Sequence, residues 1–378
     1  MLFCLLNCHV ANILYPTSFI FAAMMTDELY MRRCLELAIR GQGHVAPNPM
    51  VGSVLVYKDR IIGEGYHQLY GQPHAEVNCI YSVKNEDRHL IPDATIYVSL
   101  EPCAHFGKTP PCADLIIRNN IKKVVVGCRD PFEAVNGKGI EKLLAAGIDV
   151  QMSSIEKECI FFNRRFFTFH KKKRPYIILK WAQTLDGSIA YANQEKEERL
   201  FISNNIANRE VHKWRHDEAA ILVGTQTAML DNPSLTNRQW KGKSPIRLVI
   251  DKHGKIPLNY KIFNDEADTV IFSYQENYKN ETTTQIQLSS QKDDLTQIMD
   301  YCYQNNIQSI LVEGGKQLLQ SFLDKNIWDE ARLITNENLI IQNGLKAPSF
   351  NNNIKATEHY NLDDNKIDII HHSDPHEL

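Results

Sequence analysis

Apolar and polar positions along the chain fall into two successive blocks, each with short apolar runs alternating with amphipathic stretches. In the first block, Tyr30, Cys34, Leu37 and Ala38 recur at helical spacing behind Thr26. This predicts a helix capped by Thr26 and running to Gly41. Residues 51–57 and 61–66 read as strands around a Lys58-Asp59-Arg60 turn, 74–83 as a helix, and 95–100 as a buried strand. A helix over 112–120, a strand over 123–128, a helix over 137–146 and a strand over 148–152 complete the block. A hairpin followed by alternating strands and helices predicts a mostly parallel sheet with helices on its faces.

Residues 153–170 are polar and aromatic with a helical pattern, and lead to the basic run Lys171-Lys172-Lys173-Arg174 before Pro175. Its place ahead of a new strand favours a solvated junction over a nucleic-acid patch. In the second block, strands are expected at 176–181, 219–223, 246–250, 269–273 and 309–313, and helices near 203–216, 293–305 and 315–326. Residues 275–294 read as a polar surface excursion, and 351–378 as a last strand and a tail. The first 26 residues carry no charge, and Asn7, His9, Asn12 and Pro16-Thr17-Ser18 interrupt their apolar character. They suit neither a secretory signal nor a membrane span. Residues 1–24 are therefore expected to be a leader ahead of a start at Met24 or Met25.

Composition narrows the function classes. Hydrophobic residues make up 43% of the 378 positions, enough for large cores, and the formal charge is −3. That balance disfavours a protein built to grip nucleic acid along its phosphates. Nine cysteines in so long a chain suit a reducing compartment, where clustered thiols bind metal or do chemistry.

The sharpest chemical signal is Pro73-His74-Ala75-Glu76, followed by Glu101-Pro102-Cys103 and Pro110-Pro111-Cys112. His74, Cys103 and Cys112 supply a three-ligand zinc set with a fourth position open. Glu76, two residues from His74, is placed to move protons without binding metal. This order is the signature of hydrolytic deamination of an amino-substituted heterocycle. A lone HAE is common by chance; its joint occurrence with both cysteines is what carries the reading. The other cysteines read as packing residues.

The interval Cys103-AHFGKTPP-Cys112, with Pro47-Asn48-Pro49-Met50-Val51-Gly52 and Gly65-Tyr66-His67, closely resembles the deaminase half of the bifunctional riboflavin-biosynthesis deaminase-reductase family. The resemblance implies His74, Cys103 and Cys112 as zinc ligands and Glu76 as proton shuttle. It also implies Asn48, His67, Lys108 and Asp130 as contacts of a phosphoribosyl pyrimidine. Where the family often has Asp-Pro-Asn, this chain has Asp130-Pro131-Phe132.

In the second block, Lys180-Trp181-Ala182-Gln183-Thr184-Leu185-Asp186-Gly187, Val223-Gly224-Thr225-Gln226-Thr227, Asp231-Asn232-Pro233 and Val312-Glu313-Gly314-Gly315 resemble the reductase half of the same family. A strand running into two glycines and a helix suits phosphate, but no G-x-G-x-x-G is present. The resemblance implies NADPH contacts at Ala182, Phe201, Thr227, Asp231, Lys252 and Gly315. It implies substrate contacts at Arg199, Arg215, Leu235, Arg238 and Glu313. Lys180 and Asp231 are candidates for proton handling. Phe201 stands where many relatives have Trp, and Arg199 where a small polar residue is frequent.

The expected architecture is thus α/β: a cytidine-deaminase-like three-layer domain (25–152), a linker (153–174), a dihydrofolate-reductase-like domain (175–350) and a C-terminal strand and tail. A cytoplasmic homo-oligomer using Zn2+ and NADPH on a small molecule, with no nucleic-acid or membrane partner, is expected. The rival readings are a tRNA-type deaminase with an accessory domain, and a chain with one dead half.

Overall fold

The structure, a computed structural model, describes residues 17–106, 110–192, 200–276, 283–350 and 354–372, and only the backbone of 17–26. In the first block, α1 (Thr17–Ala38) precedes the antiparallel hairpin β1 (Gly52–Tyr57) and β2 (Arg60–Tyr66). There follow α2 (Ala75–Tyr81), β3 (Thr95–Val98), α3 (Cys112–Arg118), β4 (Lys123–Val126), α4 (Lys138–Ala145) and β5 (Asp149–Met152). The sheet order is β2-β1-β3-β4-β5, with β3, β4 and β5 parallel. Alternating strand residues explain its three layers. Leu55, Ile96, Val98, Val124 and Val126 pack on α2, α3 and α4, while Val54, Val56, Tyr97 and Val125 meet α1 on the opposite face. The first helix departs from expectation: it begins at Thr17 and passes through Thr26, which therefore caps nothing, and residues 39–41 form a separate 3-10 turn. Residues 1–16 lie outside the described part.

The expected linker helix is two helices, α5 (Glu156–Phe162) and α6 (Arg164–Lys172), broken at Asn163. The second block contains β6 (Tyr176–Thr184), β7 (Ser188–Tyr191), α7 (Asn205–Asp217), β8 (Ala220–Gly224), α8 (Thr225–Asp231), β9 (Ile246–Ile250), β10 (Thr269–Ser273) and β11 (Thr283–Gln287). It continues with α9 (Asp294–Gln304), β12 (Ser309–Val312), α10 (Lys316–Asp324), β13 (Glu330–Asn336), β14 (Gly344–Lys346), β15 (Glu358–Leu362) and β16 (Asn365–His371). Nine of these strands form one sheet, β11-β10-β9-β8-β12-β6-β13-β16-β15, and β7 pairs with β14 apart from it. Three differences from the sequence reading stand out. The stretch 275–294 holds an edge strand, β13 was not anticipated, and the C-terminal segment supplies two strands, of which β16 pairs with β13 along its length.

The linker is sewn to the second sheet by buried charges. Arg165 pairs with Glu218 through Nε at 2.7 Å and through Nη2; Arg332 contacts Glu218 at 3.4 Å and Glu330 at 2.6 Å. Arg164 Nη2 and the Tyr176 hydroxyl donate to Glu330 Oε2 at 3.3 and 3.1 Å. Both carboxylates are buried, at 1% exposure or less for their side chains. Removing one partner leaves the other ions in a low-dielectric site without compensation. Glu218→Ala, which orphans Arg165 and weakens the hold on Arg332, is expected to cost on the order of 3–5 kcal/mol, read as a lower midpoint of thermal unfolding.

Candidate active sites

The strand pattern of the first sheet delivers the predicted donors to one place. Cys103 follows β3, His74 immediately precedes α2, and Cys112 opens α3. His74 Nδ1 lies 3.6 Å from Cys103 Sγ and 3.4 Å from Cys112 Sγ, and all three ligand atoms fall within 4.8 Å of one another. One imidazole nitrogen and two thiols converging this closely fit zinc, a borderline-soft ion that prefers nitrogen and sulfur. The Cys103 thiol is brought below its ordinary value by its hydrogen bonds with Cys112 and His74, against the opposing effect of burial. Glu76 is 3% exposed, and burial raises its carboxyl to about 7, with His74 pulling the other way.

His67 stands beside this cluster, its ring 5.4 Å from that of His74. Asn48 Nδ2 donates to His67 Nε2 at 3.1 Å, and His67 Nδ1 lies 3.1 Å from the Pro73 carbonyl. The carbonyl only accepts, so the proton is on Nδ1 and the ring is neutral. Both ring nitrogens are thereby bonded within the protein. Asp130, at 7% exposure, follows β4; burial raises it to about 7, opposed by the Phe132 N–H donating at 2.8 Å. Lys108 lies outside the described residues.

Two supporting residues went unread in the sequence. Glu101 accepts backbone N–H bonds from Asp130 (3.2 Å), Gly137 (3.0 Å), Gly139 (2.9 Å) and Ile140 (3.3 Å). It ties the Cys103 loop to the Asp130 turn and the start of α4. Gly139 permits the approach, since a Cβ there would stand 1.9 Å from the Pro102 carbonyl oxygen. Asn163, where the linker helices break, binds Met50 both ways: its Oδ1 accepts from the N–H and its Nδ2 donates to the carbonyl, each at 2.9 Å. The only hint in the sequence is Glu101 ahead of Pro-Cys.

In the second block, a cavity of about 1350 Å³ opens beyond the ends of β8, β9 and β12, the usual place for a ligand in such sheets. Ala182, Phe201, Thr227, Asp231, Lys252, Arg215, Arg238, Glu313 and Gly315, the contacts that the resemblance implies, line it together with Lys180. Leu235 does not: at 3% exposure and φ 56° it packs in the core with Ile221, Val223 and Val249. Arg199 lies outside the described residues. Phe201 is 77% exposed, an aromatic face turned outward. The Gly315 N–H donates to Thr227 Oγ1 at 2.9 Å, closing the glycine turn onto α8.

Arg215 makes a two-pronged bond to Glu313 at 2.9 Å for each prong, and Lys180 Nζ lies 3.6 Å from the same carboxylate. The Arg215 fork is thus engaged inside the protein rather than held ready as a bare phosphate clamp. Arg238 Nη1 donates to Thr236 Oγ1 at 3.1 Å. Burial raises the Glu313 carboxyl, but Arg215 and Lys180 outweigh it and bring it down to about 2.

The comparisons match this geometry. Residues 24–128 match the cytidine and deoxycytidylate deaminase zinc-binding region, and 175–339 the RibD C-terminal domain. Riboflavin biosynthesis protein RibD of Aquifex aeolicus is 40% identical over 308 residues, 80% of this chain and 85% of that protein. The Escherichia coli protein of the same name is 36% identical over 323 residues, 81% and 86% of the two chains. The crystal structure of a diaminohydroxyphosphoribosylaminopyrimidine deaminase/5-amino-6-(5-phosphoribosylamino)uracil reductase from Thermotoga maritima superposes with a TM-score of 0.82 at 35% identity, covering 92% of this chain and 99% of that one.

Two predictions follow from these geometries. Glu101→Gln turns an NH2 group toward N–H donors and is expected to destabilise by about 2 kcal/mol, with less zinc retained per chain after dialysis. The depressed Glu313 carboxyl stabilises the fold above its ordinary value of 4.5, and that contribution is lost as pH falls toward about 2. Wild type should therefore lose stability more steeply than Glu313→Gln over that window, as measured by acid-dependent thermal unfolding. With a His-Cys-Cys centre in one half and a matching RibD C-terminal domain in the other, the chain belongs to the RibD family of riboflavin-biosynthesis deaminase-reductases.

Proposed function

We propose that the first half removes the 2-amino group of 2,5-diamino-6-(5-phosphoribosylamino)pyrimidin-4(3H)-one as ammonia. The second half then reduces the ribosyl side chain of the product to give 5-amino-6-(5-phosphoribitylamino)uracil. The observation that carries this reading is the buried Glu76 beside the His74, Cys103 and Cys112 donors, in a chain whose other half holds a cavity with Arg238, Lys180 and the Arg215–Glu313 pair.

His74, Cys103 and Cys112 would hold zinc, which supplies a hydroxide-strength nucleophile near neutral pH, and NADPH supplies the hydride of the second reaction. Burial raises the Glu76 carboxyl, the direction that suits a proton carrier. It can take a proton at Oε and return it to the ring nitrogen and the departing amine. The Asn48 oxygen, fixed by the bond of its own amide to His67, reads a ring N–H. Asp130 and Lys108 meet the ring or its phosphoribosyl arm. In the second half, Ala182, Phe201, Thr227, Asp231, Lys252 and the Gly315 turn hold the nicotinamide nucleotide, with the exposed Phe201 ring offering a stacking face. Arg238 carries the substrate phosphate, with Arg215 and Glu313 beside it, and Arg199 is a further substrate contact. Lys180 and Asp231 handle the proton that accompanies the hydride. Leu235 acts through its left-handed backbone position rather than its side chain.

No helix among the described residues is long and apolar enough to cross a membrane. The near-neutral charge and a cavity lined by Arg215, Arg238 and Lys180 support an enzyme acting on a small phosphorylated molecule rather than nucleic acid. The test is a paired assay on the full chain. Glu76→Gln should lose ammonia release by about 10²–10⁴-fold, while the deaminated intermediate still drives NADPH oxidation. Chelation should remove the first activity in step with zinc content and leave the second. Zinc-loaded protein that releases no ammonia from the diaminopyrimidine would overturn the substrate, and salt-sensitive RNA binding would favour the nucleic-acid rival.

A further inference from the structure

Helix α7 presents two imidazoles one turn apart, His212 and His216, to the segment 236–244, and their hydrogen bonds run in opposite senses. The Arg238 backbone N–H donates to His212 Nδ1 at 3.1 Å. That nitrogen must be unprotonated, so the ring's one proton sits on Nε2. His216 Nδ1 lies 3.4 Å from the Lys243 carbonyl, which only accepts, so this ring is protonated at Nδ1. His216 is also wedged: a Cβ on Gly242 would stand 2.1 Å from its ring.

Arg215, three residues after His212, donates through Nη1 to the Thr236 carbonyl at 3.3 Å. Thr236 in turn accepts Arg238 Nη1 on its hydroxyl at 3.1 Å. The short segment from Thr236 to Arg238 therefore hangs from one face of α7 by two attachments, Arg215 at a carbonyl and His212 at an N–H. His212 is 5% exposed and lines the cavity together with both arginines. Burial and the neighbouring Arg215, Arg238 and Lys180 charges keep it neutral, outweighing Glu313. An imidazolium would set a second donor against the Arg238 N–H.

We propose that His212 is a positioning residue of the second site: its Nδ1 holds the Arg238 main chain so that the guanidinium stands beside Arg215 where a phosphorylated substrate lands. The proposal rests on the reading that Arg238 meets the substrate phosphate. It assigns a task to a residue that touches neither hydride nor phosphate itself. Asn is the conservative replacement, because its Oδ1 stands where Nδ1 stood and still accepts; Leu and Phe fill the space without an acceptor.

The experiment is steady-state reduction of the deaminated phosphoribosyl intermediate by the full chain. His212→Leu and His212→Phe should raise its KM about three- to tenfold, the loss of one buried hydrogen bond. The KM for NADPH, kcat and ammonia release should stay close to wild type, and His212→Asn should restore the substrate KM. In an Arg238→Met background, His212→Leu should add no further change, because the effect runs through Arg238. Both KM values rising together, no rescue by Asn, or full additivity with Arg238→Met would overturn the proposal. A raised KM in Arg238→Met with a normal one in both apolar His212 variants would remove the positioning role alone. An unchanged KM in Arg238→Met would remove the phosphate reading and the positioning role with it. If the Leu variant does not fold, Phe and Asn carry the comparison.

Discussion

The buried charge cluster of Arg164, Arg165, Glu218, Glu330 and Arg332 is the constraint on which the rest of the molecule depends. It draws one residue pair from the linker, one residue from the end of α7 and two from β13 to a single place. Such a cluster tolerates little displacement, because every ion taken from water must keep its partners. It thereby sets where the linker crosses the second sheet and anchors the C-terminal end of the helix that carries His212 and Arg215. Asp329 repeats the device next door, accepting two bonds from Arg174, at 2.5 and 2.8 Å, and the Ile177 N–H at 2.9 Å. The basic run at the end of α6 is, in part, structural: Lys172 and Arg174 are both paired with this carboxylate.

The same chemistry explains what could be read from the chain and what could not. Strands β9 and β10 were legible because Leu248-Val249-Ile250 and Val270-Ile271-Phe272 are buried apolar runs, even though Arg247 is buried at the start of the first. Strand β13 was not, because EARLITN buries Glu330 and Arg332, and a hydrophobic pattern cannot register a strand whose inward charges are neutralised by distant residues. Strands β11 and β15 are polar because they lie at the two edges of the nine-stranded sheet, with one neighbour each. The start of the first helix was placed too late for the opposite reason: a good capping residue at Thr26 looked like a beginning.

The first site was legible almost whole, since zinc chemistry restricts ligands to a few residue types at recognisable spacing. What holds those ligands was not. Glu101 works through backbone N–H groups, and any chain has those everywhere, so the residue leaves no pattern beyond its place before Pro-Cys. In the second site, nine residues that the resemblance implied line one cavity together with Lys180. The Leu235 side chain instead faces the core, and nothing in the sequence hinted that Glu313 would occupy the Arg215 fork. That pairing appears only once β12 and α7 are side by side.

The loop before β1 shows what joining the two halves has meant for the protein. Its Pro47 carbonyl accepts from Gln308, at the foot of β12, at 2.7 Å, and Met50 is gripped on both sides by Asn163. Asn48 lies between these two anchors. The walls of the first site are therefore finished by residues of the linker and of the other half, although every zinc donor is local. A gene split at the seam would yield a first half with its metal donors intact and its Asn48 loop unmoored. For this chain, fusion has become part of the architecture of one site rather than a convenience of expression, and separating the halves would require new residues to replace Asn163 and Gln308.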